Sequence, residues 1–216
     1  VQKGAKLDIP MKQSVIYDWF KFNEGETCVS VASRKGHAEI VKVFVEAGVD
    51  LDRPFYQGAT CLFAACEFGH VKTAQLLVDG GANLDAAMDA GYTSVLIASF
   101  KGHLEIVRML VQKGAKLDIP MKQSVIYEGF QFTEGDTCLL VACARGYTEI
   151  VKCLLAGGVD VTHVNKSKMT CLVKCCFRNP SLEIASLLMD KGADVNAQSD
   201  SGRQAYTMYV RWKLRL

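Results

Sequence analysis

An all-α solenoid of antiparallel helix pairs, joined by hairpin-like loops and β-turns, is the architecture this chain predicts. Three observations carry that prediction. One phrase recurs five times, as Gly25-Glu-Thr-Cys-Val-Ser-Val-Ala, Gly58-Ala-Thr-Cys-Leu-Phe-Ala-Ala, Gly91-Tyr-Thr-Ser-Val-Leu-Ile-Ala, Gly135-Asp-Thr-Cys-Leu-Leu-Val-Ala and Lys168-Met-Thr-Cys-Leu-Val-Lys-Cys. The copies are 33 residues apart, except the fourth, which follows after 44, that is 33 plus an 11-residue insertion. A second apolar segment with helical spacing follows each phrase. A fixed period of this length marks one small supersecondary unit stacked on copies of itself. Such an array presents an extended surface in place of a deep cleft, which favours binding over catalysis.

The divisions follow from the period. A partial unit occupies 1–24, with an insertion at 14–24. Repeats follow at 25–57, 58–90 and 91–123, an insertion at 124–134, repeats at 135–167 and 168–201, and a partial unit at 202–216. All belong to a single repeat domain. In the third unit Thr93 suits the N-cap of a first helix, Val95-Leu-Ile-Ala98 forms its body, and Gly102 can take the left-handed conformation that ends it. The second helix places Ile106, Val107 and Leu110 on one face. That face recurs as Ile40, Val41, Phe44, as Ile150, Val151, Leu154, and as Ile184, Ala185, Leu188. The fifth unit has Asn179-Pro180-Ser181 at the inter-helix turn and one extra residue, so that turn must be rebuilt. The chain has no initiator Met and begins in mid-repeat, which reads as a fragment of a longer polypeptide. Tyr206, Tyr209 and Trp212 could cover the last interface.

These residues resemble the ankyrin repeat family. The resemblance rests on Gly-x-Thr at the unit starts, on Ala-x-x-x-Gly-His at 32–37, 65–70 and 98–103, on Glu-Ile-Val, and on Gly192-Ala-Asp-Val-Asn196. It covers essentially the whole chain. It implies a helix, a tight turn, an antiparallel helix and a protruding loop per unit, with partner recognition on the concave groove and the loop tips. Two departures stand out. The family's Pro after Thr is Cys or Ser here, which gives up roughly 0.4–1 kcal/mol of unfolded-state restriction per unit. The family's His two residues further is Ser30, Phe63, Leu96, Leu140 or Val173. A fold less stable than an idealised family member is expected.

A second period overlies the first: residues 1–17 are identical to 111–127. Duplication of a three-repeat block, or an artefact of sequence assembly, would account for it. Within the insertion, Ser124-Val-Ile-Tyr-Glu-Gly-Phe-Gln-Phe-Thr-Glu134 reads as two strands about a Glu128-Gly129 turn. That register puts Val125, Tyr127, Phe130 and Phe132 on one side, and Val15, Tyr17, Phe20 and Phe22 in the earlier copy. The aromatic face could meet a partner at the finger tip, or fold back over the neighbouring repeat. Folding back is favoured, because lasting exposure of four large apolar side chains is costly.

The resemblance puts the residues before each turn glycine on the groove. They are Arg34, Lys35, Glu67, Phe68, Phe100, Lys101, Ala144, Arg145, Phe177 and Arg178. A strip of cations and aromatics suits an extended peptide whose acidic residues flank apolar anchors. The finger candidates are Phe55, Tyr56, Met88, Tyr127, Phe130 and Phe132, with Arg53 beside them.

The remaining composition excludes more than it selects. The chain has 216 residues, 50% of them hydrophobic, with 25 Lys and Arg against 23 Asp and Glu, a net charge of +2. That balance gives no general case for nucleic acid or a membrane surface. No apolar run approaches the roughly 18 residues that would span a bilayer. Nine cysteines fall mostly in repeat columns: Cys28, Cys61, Cys138, Cys171, and then Cys66, Cys143, Cys176 alternating with Ser33 and Ser99. Interchange with Ser indicates small buried residues in a reducing, cytoplasmic setting. Cys171, Cys175 and Cys176 lack the ligand spacing of a zinc site. His37, His70 and His103 follow turn glycines and read as structural, and His163 stands alone. No catalytic constellation, cofactor site or metal site is expected. The function so read is a monomeric, non-catalytic scaffold or adaptor segment that binds another protein or an extended peptide. A regulatory segment of a larger enzyme or channel is the alternative, and a nucleic-acid or nucleotide-binding repeat is a weaker one.

Overall fold

The computed structural model describes residues 9–13, 15–17, 20–22, 24–202 and 204, the two short runs at 15–17 and 20–22 by backbone alone. The expected helix tail at the start of the chain and the aromatic cap at 206–212 fall outside these residues. The chain forms two compact units, Val1–Ala98 and Ser99–Leu216, with the division inside one helix.

In the first unit, β1 (Val15–Tyr17) pairs antiparallel with β2 (Phe20–Phe22). Helices α1 (Cys28–Lys35) and α2 (Ala38–Glu46) follow, then α3 (Cys61–Glu67) and α4 (Val71–Asp79). Thr27 and Thr60 start α1 and α3 because their side-chain oxygens accept from the backbone N–H three residues on, at 3.3 Å in both cases. Each first helix packs beside the next first helix (α1 on α3), and each second beside the next second (α2 on α4). Small side chains permit the close approach. Ala32, Ser33, Ala65 and Cys66 are all buried, and Ser33 turns its hydroxyl back onto the Val29 carbonyl at 2.8 Å.

The expected face of α2 is only partly buried. Val41 is fully buried, but Ile40 is 50% exposed and Phe44 is half-buried; the main packing partners of α2 among the described residues are α1 and α4. Together with Ile9, Met11 and Val31 they line an apolar depression of about 370 Å³. Cys28 opens onto it and is exposed, unlike its column mates Cys61, Cys138 and Cys171.

Helix α5 (Ser94–Lys101) contributes its first turns to the first unit and its end to the second. The second unit continues with α6 (Leu104–Gln112), the hairpin β3 (Val125–Tyr127) and β4 (Phe130–Phe132), then α7 (Cys138–Arg145), α8 (Thr148–Ala156), α9 (Cys171–Arg178) and α10 (Leu182–Asp190). Again α7 packs on α9, α6 on α8 and α8 on α10. The predicted faces Ile106, Val107, Leu110 and Ile150, Val151, Leu154 are buried throughout. Each such side chain contributes about 1.5–3 kcal/mol by leaving water. The β3–β4 register is the expected one, Val125 opposite Phe132 and Tyr127 opposite Phe130. Glu128 and Gly129 have φ of 48° and 73°, so the connection is a two-residue turn whose twist matches the strands.

An inter-helix turn explains one of the periodic histidines, His70. Gly36 ends α1 in the left-handed region, where a methyl group would lie 2.6 Å from His70 Nδ1. The close approach lets His70 Nε2 hydrogen-bond the Arg34 carbonyl at 3.0 Å. In the rebuilt fifth turn Asn179 takes this role, donating through Nδ2 to the Arg145 carbonyl at 2.9 Å. Ser181 then caps α10 by accepting from the Ile184 N–H.

Candidate functional site

The second unit gathers its cations around one aromatic cluster. The β3–β4 hairpin folds its aromatic side down onto the end of α5, where Phe100 meets Tyr127, Phe130 and Phe132 at ring-centre distances of 5.9, 5.2 and 5.0 Å. Phe130 and Phe132 meet each other edge-on at 4.9 Å. Phe132 and Phe100 are fully buried and Phe130 nearly so. Tyr127 is half-buried. The finger readings of Phe130 and Phe132, and the groove reading of Phe100, are thereby corrected. Desolvating these rings against one another is worth more than holding them in water for a partner, so they form a satellite core beneath the hairpin.

Three cations sit on that core. The Lys101 ammonium lies 5.2 Å from the centre of the Tyr127 ring and forms an ion pair with Glu128 at 2.6 Å. The Arg145 guanidinium lies 4.9 Å from the centre of Phe100 and 5.4 Å from that of Tyr147, whose hydroxyl accepts from Arg145 at 3.0 Å. The Arg178 guanidinium lies 5.7 Å from Phe130 and 5.8 Å from Phe177. Arg145 and Arg178 are exposed, Phe177 is 39% exposed, and among the described residues neither arginine has a carboxylate partner. A ring beneath a guanidinium holds it in place while its N–H edges stay available for planar, bidentate acceptors.

Beneath Arg178 lies a polar arrangement that the repeat pattern did not announce. Asp136, fully buried, accepts from the Lys174 ammonium, from Asn165 Nδ2 at 2.8 Å and from the Thr133 N–H at 2.9 Å. Lys174 interrupts a column that is otherwise Val31, Ala64, Ile97 and Val141. Burial holds its ammonium below the ordinary lysine range, and Asp136 opposes that shift. A sequence signal did exist. Gly135-Asp-Thr carries an acid where other units carry Ala59, Tyr92 or Met169, and the only other acid there is Glu26.

Glu26 is the corresponding feature of the first unit. It is fully buried and held bidentately by Arg34, Nε to Oε1 at 2.9 Å and the second guanidinium nitrogen to Oε2 at 3.0 Å. Arg34 is therefore a structural partner of a buried acid, half-buried at the end of α1. Elsewhere in that unit Phe68 is 50% exposed and stacks on His70 at 6.3 Å, Lys35 is exposed and Glu67 half-buried. On the loops Tyr56 is 47% exposed, while Phe55 and Met88 are half-buried.

Five of the buried thiols are poorly suited to nucleophilic chemistry. Desolvation pushes Cys61, Cys66 and Cys171 up to about 12, and Cys138 and Cys143 well above their ordinary value. All nine cysteines are free. Among the described residues no group of three or more His, Cys, Asp or Glu is placed to hold a metal ion, and no helix is long and apolar enough to cross a membrane. His163 hydrogen-bonds the Gly135 carbonyl at 2.8 Å, a structural role.

The geometry presents ring-supported cations on a repetitive helical frame. Comparison with known proteins agrees with that frame. No curated protein matches the chain in sequence. A family model described as ankyrin repeats (3 copies) matches residues 13–88, 29–123 and 121–199. With those matches covering most of the sequence, and with helix pairs repeating in register, the chain belongs to the ankyrin repeat family.

Proposed function

We propose that this chain is a non-catalytic module that binds an acidic segment of another protein, and that Arg145, Phe177 and Arg178 in the second unit carry the contact. Ankyrin repeats are generally protein–protein interaction modules. The observation that supports the finer reading is the pair of exposed arginines, each seated on an aromatic ring and lacking a carboxylate among the described residues. A guanidinium so held loses little freedom on pairing, which favours an incoming Asp or Glu. Phe177, partly exposed beside Arg178, offers an apolar contact for a flanking side chain. Lys101 contributes less, because Glu128 already holds it. Lys35, Glu67 and Phe68 offer a comparable surface within the first unit, with Tyr56 at its loop edge.

The test uses selected ligands. Short random peptides displayed on phage and selected on the chain should be enriched in Asp or Glu next to Leu, Ile or Phe. Combined Arg145→Gln and Arg178→Gln should weaken the selected peptides at least tenfold, about 1.4 kcal/mol. Selected peptides without acidic residues, or equal affinity for the double variant, would refute the reading. Arg34 is unsuitable for such a test, since changing it strands Glu26 in the interior.

A further inference from the structure

We propose that a cavity at the C-terminal end of α9 anchors a single carboxylate, an Asp or Glu side chain of the acidic segment assigned above, and the proposal rests on that reading. The cavity holds about 280 Å³ within the second unit. Thr133 after β4, Ser167 in the preceding loop and the turn at Ser199 and Ser201 form its rim, and α9 supplies Lys174 and Arg178. Its size falls just below the range for small-molecule sites, roughly 300–1,000 Å³, and suits one side chain with a few waters.

Charge selects the occupant. Lys174 is neutralised by Asp136, and Asp200 at the rim pairs with Lys168 at 3.1 Å. Arg178 is left as the one cation of the cavity without an anion among the described residues. A site with a net charge of one matches one carboxylate better than a phosphate dianion. Arg178 lies 5.7 and 5.8 Å from the ring centres of Phe130 and Phe177, contacts that orient its planar fork. The hydroxyls of Ser199 and Ser201 lie 3.0 Å apart in the lining, where Ser201 and Thr133 can donate to the second carboxylate oxygen. Met169 and Phe177, also in the lining, suit the methylene stem that joins the carboxylate to its backbone.

A titration of the whole chain, isotope-labelled for NMR, tests this with small probes: N-acetylglutamate methylamide, its glutamine counterpart and O-phosphoserine. The backbone amides of Thr133, Ser167 and Ser199 should shift saturably with the glutamate probe and at least tenfold more weakly with the glutamine probe. Arg178→Gln should abolish the response, whereas Arg145→Gln should leave it intact. Equal response to glutamate and glutamine, persistence in the Arg178 variant, or tighter binding of phosphoserine would each overturn the assignment. The groove reading fails separately. Selected peptides that need Arg145 but not Arg178 would remove the cavity and leave the groove. A glutamate probe that saturates the cavity while no selected peptide needs either arginine would remove the groove and leave the cavity as a carboxylate site.

Discussion

Thr27, Thr60, Thr93 and Thr170 each accept a hydrogen bond from the N–H three residues on, whereas the Thr137 hydroxyl is buried with no partner among the described residues. Replacing a cap of the first kind costs about 1 kcal/mol, while an unmatched buried hydroxyl is itself a cost. Thr60→Val should therefore destabilise the fold by about 1 kcal/mol, and Thr137→Val should be neutral or stabilising, as read from urea midpoints. Lys168 offers a second contrast. It holds φ of 52° at the column position where Gly25, Gly58, Gly91 and Gly135 have 81°, 81°, 96° and 87°. A side chain costs roughly 1–2 kcal/mol there, and the exposed pair with Asp200 returns at most about 1 kcal/mol. Lys168→Gly should raise the midpoint or leave it unchanged, and a fall would show that the pair outweighs the strain. Lys174 gives a pH signature. Because burial depresses its folded pKa below 10.5, the unfolded chain keeps this proton to higher pH, so its contribution to stability rises between the folded value and 10.5. Lys174→Met should remove that rise when stability is compared between neutral and alkaline pH. The same variant should cost about 3–5 kcal/mol at neutral pH by leaving Asp136 unpaired, and adding Asp136→Asn should recover part of it.

The β3–β4 hairpin shows which features of an element are local and which are not. Alternation within 124–134 determined the strand pairs and the turn, because pleat and turn chemistry depend on nearest neighbours alone. Whether the aromatic side met water or protein depended on Phe100, which lies far off in sequence at the end of α5. The periodic pattern placed Phe100 on the groove and could not show that an 11-residue insertion would descend upon it. The buried acids Glu26 and Asp136 were hidden for the same reason: their partners, Arg34 and Lys174, sit on helices whose facing sides emerge only on packing. Phe132→Ala should cost about 3–5 kcal/mol and raise the protease sensitivity of the hairpin. Unchanged stability would mean that the satellite core is loosely packed.

Over the molecule as a whole, the 33-residue period, the threonine caps and the turn glycines were legible because a repeat array restates its local rules in every unit. The faces of α6, α8 and α10 were legible on the same ground. The ligand surface was less so, since of the ten residues at the ends of the first helices Phe100 and Ala144 are buried and Arg34 is paired with Glu26. With few exposed cations engaged, binding of a selected acidic peptide should weaken only shallowly with salt, in contrast to the loss of about 10³–10⁵ between 50 and 200 mM expected of a protein contacting six to ten phosphates. A steep salt slope on single-stranded nucleic acid, with none for peptide, would reverse the choice of partner class.

The bond between Lys174 and Asp136 links two consecutive repeats and gives them a fixed order. Excising 124–167, one repeat with its insertion, would restore the regular spacing yet set Lys174 against Tyr92, the column mate of Asp136, and strand an ammonium in a dry interior. In this array the modules look interchangeable in outline, but two of them can serve only as a matched pair.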